Sequence, residues 1–101
     1  MTETDAQVIA ERYLDELQLE MSHGTLALMN DRTREEEFGW VFFYQTREYL
    51  ENRNPLAMLA GNAPIIVDRR DGSVHETGTA LPVDEYVNAF RREWRARATN
   101  E

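Results

Sequence analysis

Apolar residues near the start of the chain recur at every third or fourth position, as in Ala6, Ile9, Tyr13 and Leu17. This spacing predicts an amphipathic α-helix from about residue 5 to residue 20, with one face buried. Thr4 suits the N-cap, and Gln7 completes a capping box three residues later. The polar face of the same helix carries the carboxylates Glu11, Asp15 and Glu16.

A second helical pattern follows Pro82 and includes the apolar residues Val83, Tyr86, Val87, Phe90 and Trp94. Acidic residues stand in its first turn and arginines in its last turns, as the helix dipole favours. We expect the tail, residues 98–101, to fray, since nothing in its composition ties it down.

Four stretches between the helices have strand character. Leu26, Leu28 and Asn30 alternate with Ala27, Met29 and Asp31, which is typical of a strand with one side partly wet. Residues 40–46 are apolar on both faces and therefore predict a central strand. Two further strands are predicted at 65–67 and 74–79, and a short helical turn at 47–52.

Two connections affect where polar side chains lie. Residues 71–72, Asp-Gly, have the composition of a two-residue type I′ hairpin turn, which sets Asp68 opposite His75. Residues 32–37 are charged and suit either a continuation of the first strand or a loop.

The order of elements predicts one α+β domain over residues 1–101, with its core at about 5–95. We expect a four-stranded, largely antiparallel sheet with the N-terminal and C-terminal helices packed on one face. That arrangement leaves apolar side chains of the central strand uncovered on the other face. A homodimer is one way to cover them.

Charge narrows the classes of partner. The net charge is −8 at pH 7, from 19 acidic and 11 basic residues, and every basic residue is arginine. This field repels phosphate backbones and anionic lipid, so we expect neither nucleic acid nor membrane as partner, and it suits a basic protein surface. The absence of cysteine and the acidic N-terminus, unlike a signal peptide, favour a cytoplasmic location.

The sequence contains no motif for catalysis, a cofactor or a metal. Its two histidines, His23 in a polar turn and His75 on a hairpin strand, have ordinary structural explanations. Without cysteine or an HExxH motif a zinc site is not predicted, and neither serine, Ser22 or Ser73, stands in a GxSxG context. A catalytic site built from paired carboxylates is the least firmly excluded, because such pairs have no characteristic spacing in the sequence.

Two acidic surfaces are candidates for binding a partner. The run from Glu35 to Glu37 is the densest in charge and precedes Phe38 and Trp40, although such runs are usually only solvated. Trp40 and Trp94 are predicted to be core residues because both lie on apolar faces. The candidate partner-binding residues are Glu35, Glu36, Glu37, Tyr44, Glu11, Asp15 and Glu16.

The stretches FGWVFFYQT at 38–46 and LAGNAPIIVD at 59–68 together resemble the immunity protein 35 family, also called the YrhB-like domain. The resemblance extends over about residues 5–92 and includes Asp71-Gly72-Ser73, Thr77-Gly78-Thr79-Ala80 and Pro82. It implies a small bacterial cytoplasmic α+β protein, often encoded beside a polymorphic toxin that it binds and blocks. The matching signature residues are structural in character: Gly39, Trp40, Gly61, Asn62, Pro64 and Gly78.

The leading hypothesis is therefore a non-enzymatic immunity-type protein whose partner is a bacterial toxin domain. The alternative is a stress-related accessory or chaperone-like protein, which would bind partner chains broadly and weakly without a dedicated toxin. An enzyme is a third class, and it would need a pair of carboxylates converging in a cleft.

Overall fold

A computed structural model describes residues 1–20, 24–59 and 63–100, with side chains up to Arg97. Its helices are α1 (Glu3–Glu20), α2 (Arg47–Asn52) and α3 (Val83–Asn100), and 3-10 turns lie at Asn30–Arg32 and Pro55–Ala57. Its strands are β1 (Leu26–Leu28), β2 (Arg34–Glu36), β3 (Gly39–Phe42), β4 (Tyr44–Thr46), β5 (Ile65–Asp68) and β6 (Val74–Glu76).

The α+β class and a four-stranded antiparallel sheet are confirmed. The sheet has the order β2-β3-β5-β6, and β1 pairs with β4 in a separate two-stranded sheet. The stretch predicted as one strand at 40–46 is divided at Phe43, and its first half, β3, is central. Residues 34–36 prove to be a strand, β2, which follows β1 after the 3-10 turn.

The two long helices pack on opposite faces of the four-stranded sheet, so the prediction of a single face was wrong. Trp40 and Val67 belong to the core cluster that contains Ala6, Ala10 and Leu14 of α1. Their strand neighbours Val41 and Ile66 belong to the cluster that contains Val87 of α3. Strand side chains alternate between faces, and these strands are apolar on both, so each face needs its own cover. A second copy is not needed for that purpose.

Helix α1 begins two residues before the predicted start. The Asp5 N–H donates to Thr2 Oγ1 at 3.2 Å, and the Thr2 N–H donates to Asp5 Oδ2 at 3.0 Å. This reciprocal capping box replaces the predicted one at Thr4 and Gln7. An ionised carboxylate is favoured at a helix N-terminus, and its bonds to Thr2 lower the pKa of Asp5.

The β5–β6 hairpin also differs from its prediction. His75 lies opposite Ile66, and Val74 lies opposite Val67, so Asp68 does not face His75. The Asp68 N–H donates to the Ser73 carbonyl at 3.0 Å, which leaves four residues in the loop. The chain turns earlier because Asp68 Oδ1 accepts the Arg70 N–H at 2.8 Å.

Some predictions concern residues that the structure does not describe, and these stay predictions. Ser22, His23, Gly61 and Asn62 lie outside the described residues. Helix α3 continues to Asn100 and Glu101 lies beyond it, so fraying of the tail stays a prediction. In the described ranges no helix is long and apolar enough to cross a bilayer.

Candidate functional site

The glutamate run is not one surface, because two of its members lie on β2 and point to opposite faces. Glu35 pairs with Trp40 on the α1 face and forms an ion pair with Arg69 at 3.3 Å. The Arg69 guanidinium in turn lies 4.8 Å from the centre of the Trp40 ring. Glu36 points the other way and forms ion pairs with Arg91 of α3 and with Arg34 at 3.4 Å.

The third member of the run is held by α3. Glu37 forms ion pairs with Arg95 and with the Nε of Arg91, the latter at 3.2 Å. The Arg95 hydrogen bonds lower the pKa of Glu37. The side chains of Glu36 and Glu37 are 17% and 38% exposed, against 64% for Glu35. Two of the three glutamates therefore have an intramolecular partner that fastens α3 to the sheet.

The outer face of α1 is acidic and is not neutralised in this way. The helix carries six carboxylates and one arginine. Glu11, Asp15 and Glu16 are all exposed, and in the described part of the chain none of them forms an ion pair. Two exposed apolar side chains, Val8 at 50% and Leu19 at 85%, belong to the same helix.

A groove of about 380 Å³ runs between α1 and the edge of β1, and Glu11 and Asp15 line it. We call it the α1–β1 groove. At the two ends of β1, the Thr25 carbonyl accepts the Arg47 N–H and the Met29 N–H donates to the Phe43 carbonyl. The peptide groups of the β1 residues between them alternate in direction, as in any antiparallel pair. Those of Leu26 and Leu28 therefore point away from β4. The Leu26 N–H is satisfied by Gln18 Oε1 at 3.0 Å.

The structure does not bring all seven predicted partner residues together. Glu16 lies outside the α1–β1 groove, in a separate depression that Tyr13 and Val74 also line. Tyr44 is only 8% exposed, and burial raises the pKa of its hydroxyl. Its remaining exposed surface lies in a second groove, and no residue of the glutamate run lines that groove.

This second groove has a volume of about 400 Å³ and was not foreseen in the sequence. We call it the arginine groove. Its lining includes the apolar or aromatic residues Phe43, Tyr44, Tyr49 and Met58, and the arginines Arg32 and Arg53. The Arg32 guanidinium lies 5.4 Å from the centre of the Phe43 ring, and that of Arg53 lies 5.7 Å from Tyr49. The sequence offered no signal for it, because the two arginines follow different elements and each looks like a solvated residue.

One wall of the arginine groove is held in place by buried side chains of β4. Gln45 Oε1 accepts the Leu59 N–H at 2.8 Å, and Gln45 Nε2 donates to the Leu59 carbonyl at 3.0 Å. Thr46 Oγ1 donates to the Ala57 carbonyl at 2.7 Å. Buried hydrogen bonds of this kind are costly to break, so this wall of the groove is rigid before any partner binds.

A serine, a histidine and an aspartate lie close together at the β5–β6 hairpin. Ser73 Oγ donates to Asp71 Oδ1 at 2.7 Å and lies 2.7 Å from His75 Nε2. With its proton directed to the carboxylate, the hydroxyl accepts from the imidazole rather than being activated by it. The bonds from Ser73 lower the pKa of Asp71, and the imidazole packs 4.9 Å from the Phe90 ring. The arrangement stabilises the hairpin.

No cluster of three histidine, cysteine, aspartate or glutamate residues suited to a metal ion occurs within the described ranges. The two grooves and the outer face of α1 present charged and apolar side chains at the surface.

Comparison with known proteins identifies the family. The model of the family described as Immunity protein 35 matches residues 4–97. The chain belongs to the immunity protein 35 family. It is also 37% identical over 90 residues to the uncharacterized protein YrhB of Escherichia coli strain K12, covering 89% of this chain and 88% of YrhB. No solved structure matches the chain significantly.

The residues that carry the family resemblance have structural positions where the structure describes them. Trp40 is 2% exposed, and Pro64 directly precedes β5, where its carbonyl accepts the Thr77 N–H at 3.3 Å. A side chain at Gly78 would collide with the Tyr86 hydroxyl. Trp40, Pro64 and Gly78 thus each have a structural role in this chain.

Proposed function

We propose that the chain is a non-enzymatic immunity protein that binds a cognate bacterial toxin in the cytoplasm and neutralises it. Membership of the immunity protein 35 family over residues 4–97 is the observation that carries this proposal. Immunity proteins are in general non-catalytic, and the absence of a recognised catalytic motif in the sequence agrees with that role.

The acidic face of α1 and the α1–β1 groove are the surface that we assign to the toxin. Glu11 and Asp15 lie beside the outer edge of β1 in a groove that Arg47 also lines, and their carboxylates suit a basic, extended segment of a partner. Unpaired surface charges of one sign speed association with an oppositely charged protein. The glutamates of β2 suit this purpose less well, because arginines of the same chain already pair with them.

Co-expression with the protein encoded next to this gene tests the proposal. We expect the wild-type chain to restore growth of cells that produce that protein, and the two to co-purify. Reversing the α1 charges, with Glu11→Lys, Asp15→Lys and Glu16→Lys, should weaken binding by at least about 100-fold at low salt, since each lost charge contact costs about 1–2 kcal/mol.

A matched control reverses three exposed carboxylates outside α1, with Glu48→Lys, Glu85→Lys and Glu93→Lys. The net charge changes equally, so a similar loss in both variants would show that only the overall field matters. Unchanged affinity in the α1 variant would remove that face from the site.

The other predicted contacts, Glu35 to Glu37 and Tyr44, remain part of the proposal as secondary contacts. Glu35→Lys is the informative change, because Glu35 is the most exposed of the three glutamates. The chaperone-like alternative predicts weak binding to many unfolded chains and no rescue of growth, so the same experiment separates the two functions.

A further inference from the structure

Two guanidinium groups in the arginine groove are uncompensated in an otherwise acidic protein. Arg32 and Arg53 are both exposed, and in the described part of the chain neither forms an ion pair with a carboxylate. Each instead lies over an aromatic ring of the groove, Phe43 or Tyr49. Stacking on a ring holds a guanidinium in place while leaving its N–H groups free for a carboxylate.

The backbone at Arg53 provides a second, independent observation. Arg53 follows the last residue of α2 and has φ 54° and ψ 31°, in the left-handed region. It is the only non-glycine residue with positive φ in the described ranges. Glycine is preferred at this position of a helix end, because the left-handed conformation is strained for other residues. An arginine kept at this cost, with its side chain in a groove, indicates a use for that side chain.

We propose that the arginine groove binds an acidic peptide segment of a partner protein. A carboxylate of the segment would pair with Arg32 and Arg53, and a neighbouring large apolar side chain would lie against Phe43, Tyr49 and Met58. This inference does not depend on the toxin, because the groove and the α1 face lie on different elements and have opposite charge.

The composition of the arginine groove favours an acidic peptide segment with apolar side chains. Guanidinium groups match the geometry of a carboxylate, and the remaining lining is mainly apolar or aromatic, so the bound group must combine an anion with apolar surface. Met58 is 51% exposed at this site and would be covered by such a segment. A nucleic acid does not fit, because the net charge of −8 repels its backbone and only two arginines oppose that field here. A volume of about 400 Å³ admits a short segment but not a folded domain.

Titration of the ¹⁵N-labelled full chain with a synthetic peptide tests the proposal. The probe is an end-capped peptide with the core Leu-Asp-Leu, and its matched control has the core Leu-Asn-Leu. We expect the Asp peptide to shift the resonances of Phe43, Tyr49 and Met58 in a saturable manner. The Asn peptide should bind about 10-fold more weakly or worse, since it lacks the charge-assisted bonds.

Two variants make the proposal falsifiable without loss of the fold. Arg53→Gly relieves the left-handed backbone, so it should retain or raise stability while weakening the Asp peptide about 10-fold. Arg32→Gln should weaken it to a similar degree, whereas Arg12→Gln on α1 should leave binding unchanged.

Equal affinity for the Asp and Asn peptides, or unchanged affinity of Arg53→Gly for the Asp peptide, would overturn the proposal. So would shifts confined to the α1 face, or loss of peptide binding through self-association of the chain at the groove. Growth rescue by the Arg53→Gly variant is compatible with the proposal, since rescue tests the toxin-binding function separately.

Discussion

Gly39 shows how one residue position depends on its surroundings. It has φ 147° at the start of β3, and a Cβ atom there would overlap the Val67 carbonyl oxygen on the neighbouring strand. Only glycine lets the two central strands approach this closely. The residue therefore explains why the β2–β3 turn can sit tightly against β5.

Replacing Gly39 by alanine should destabilise the protein by about 2–4 kcal/mol, from the overlap and the backbone conformation together. Urea unfolding followed by tryptophan fluorescence measures the change. Gly24→Ala is the matched control: its φ is 83°, but no described atom lies within 4 Å of its added Cβ, so it should lose only about 1–2 kcal/mol. An equal loss in both variants would contradict the close-approach explanation.

A hydrogen bond from Tyr13 joins α1 to β6, and we expect its contribution to stability to be lost at alkaline pH. Its hydroxyl donates to Glu76, and burial, followed by that carboxylate, raises the pKa of Tyr13 above its ordinary value. A raised folded-state pKa stabilises the fold below the unfolded value of about 10, and this contribution is lost as the pH rises above it.

Tyr13→Phe should therefore be less stable than the wild type at pH 7, by about 0.5–1.5 kcal/mol for the lost hydrogen bond. The difference should shrink as the pH rises beyond about 10. Above that pH the unfolded wild type loses its Tyr13 proton while the folded state still holds it, which favours unfolding of the wild type alone. Thermal unfolding of both proteins across this pH range gives the measurement. A constant difference would show that the pKa of Tyr13 is the same in the folded and unfolded chains.

At the scale of elements, the strands distribute a continuous charged run among different partners. Glu35 and Glu36 are neighbours in sequence, but strand alternation directs one toward Arg69 and the other toward Arg91. Arg34 extends the second group by an ion pair with Asp84 at 2.8 Å. Arg91 and Arg95 of α3 thus pair with acidic side chains of β2 and of the turn after it, and α3 is held by charge as well as by apolar contact.

Acid should loosen this attachment. The Arg95 and Arg91 side chains lower the pKa of Glu37, so its contribution is complete above the unfolded pKa of about 4.5 and is lost as the pH falls below it. Glu37→Gln should lower the urea midpoint at pH 7, and its difference from the wild type should shrink as the pH falls below about 4.5. Glu85→Gln, also exposed but without an ion pair in the described residues, is the control. A Glu37→Gln effect that does not shrink with falling pH would assign the role of Glu37 to packing instead.

At the scale of the molecule, the two helices divide the charge. Helix α1 has six carboxylates and one arginine, whereas α3 has three carboxylates and four arginines. Because they cover opposite faces of the sheet, the net negative charge is concentrated on the α1 side. A basic toxin would therefore be oriented by the field of the whole protein toward α1. The arginine groove is a surface of the opposite sign.

The sequence by itself determined the α+β class, the two long helices, the central apolar strand and the membership of the family. These follow from periodicity and from local signals that survive in any packing: helical spacing at Ala6 to Leu17, an apolar run at 40–46, and a helical turn at 47–52. Prediction failed where a neighbouring residue could form an alternative cap or turn. The capping box moved to Thr2 and Asp5, and the hairpin turned earlier because the Asp68 side chain accepted a backbone N–H.

Only the tertiary structure decided which faces the helices cover and which charges remain unpaired. A stripe of apolar residues shows that a helix must pack, but not on which side of a sheet that is apolar on both. Likewise, Glu36 and Glu11 are equally acidic in sequence, and what separates them is that Arg91 of α3 lies against the first while no arginine in the described ranges pairs with the second. Grooves arise in the same way, since Arg32 and Arg53 share one only after the chain between them has folded back.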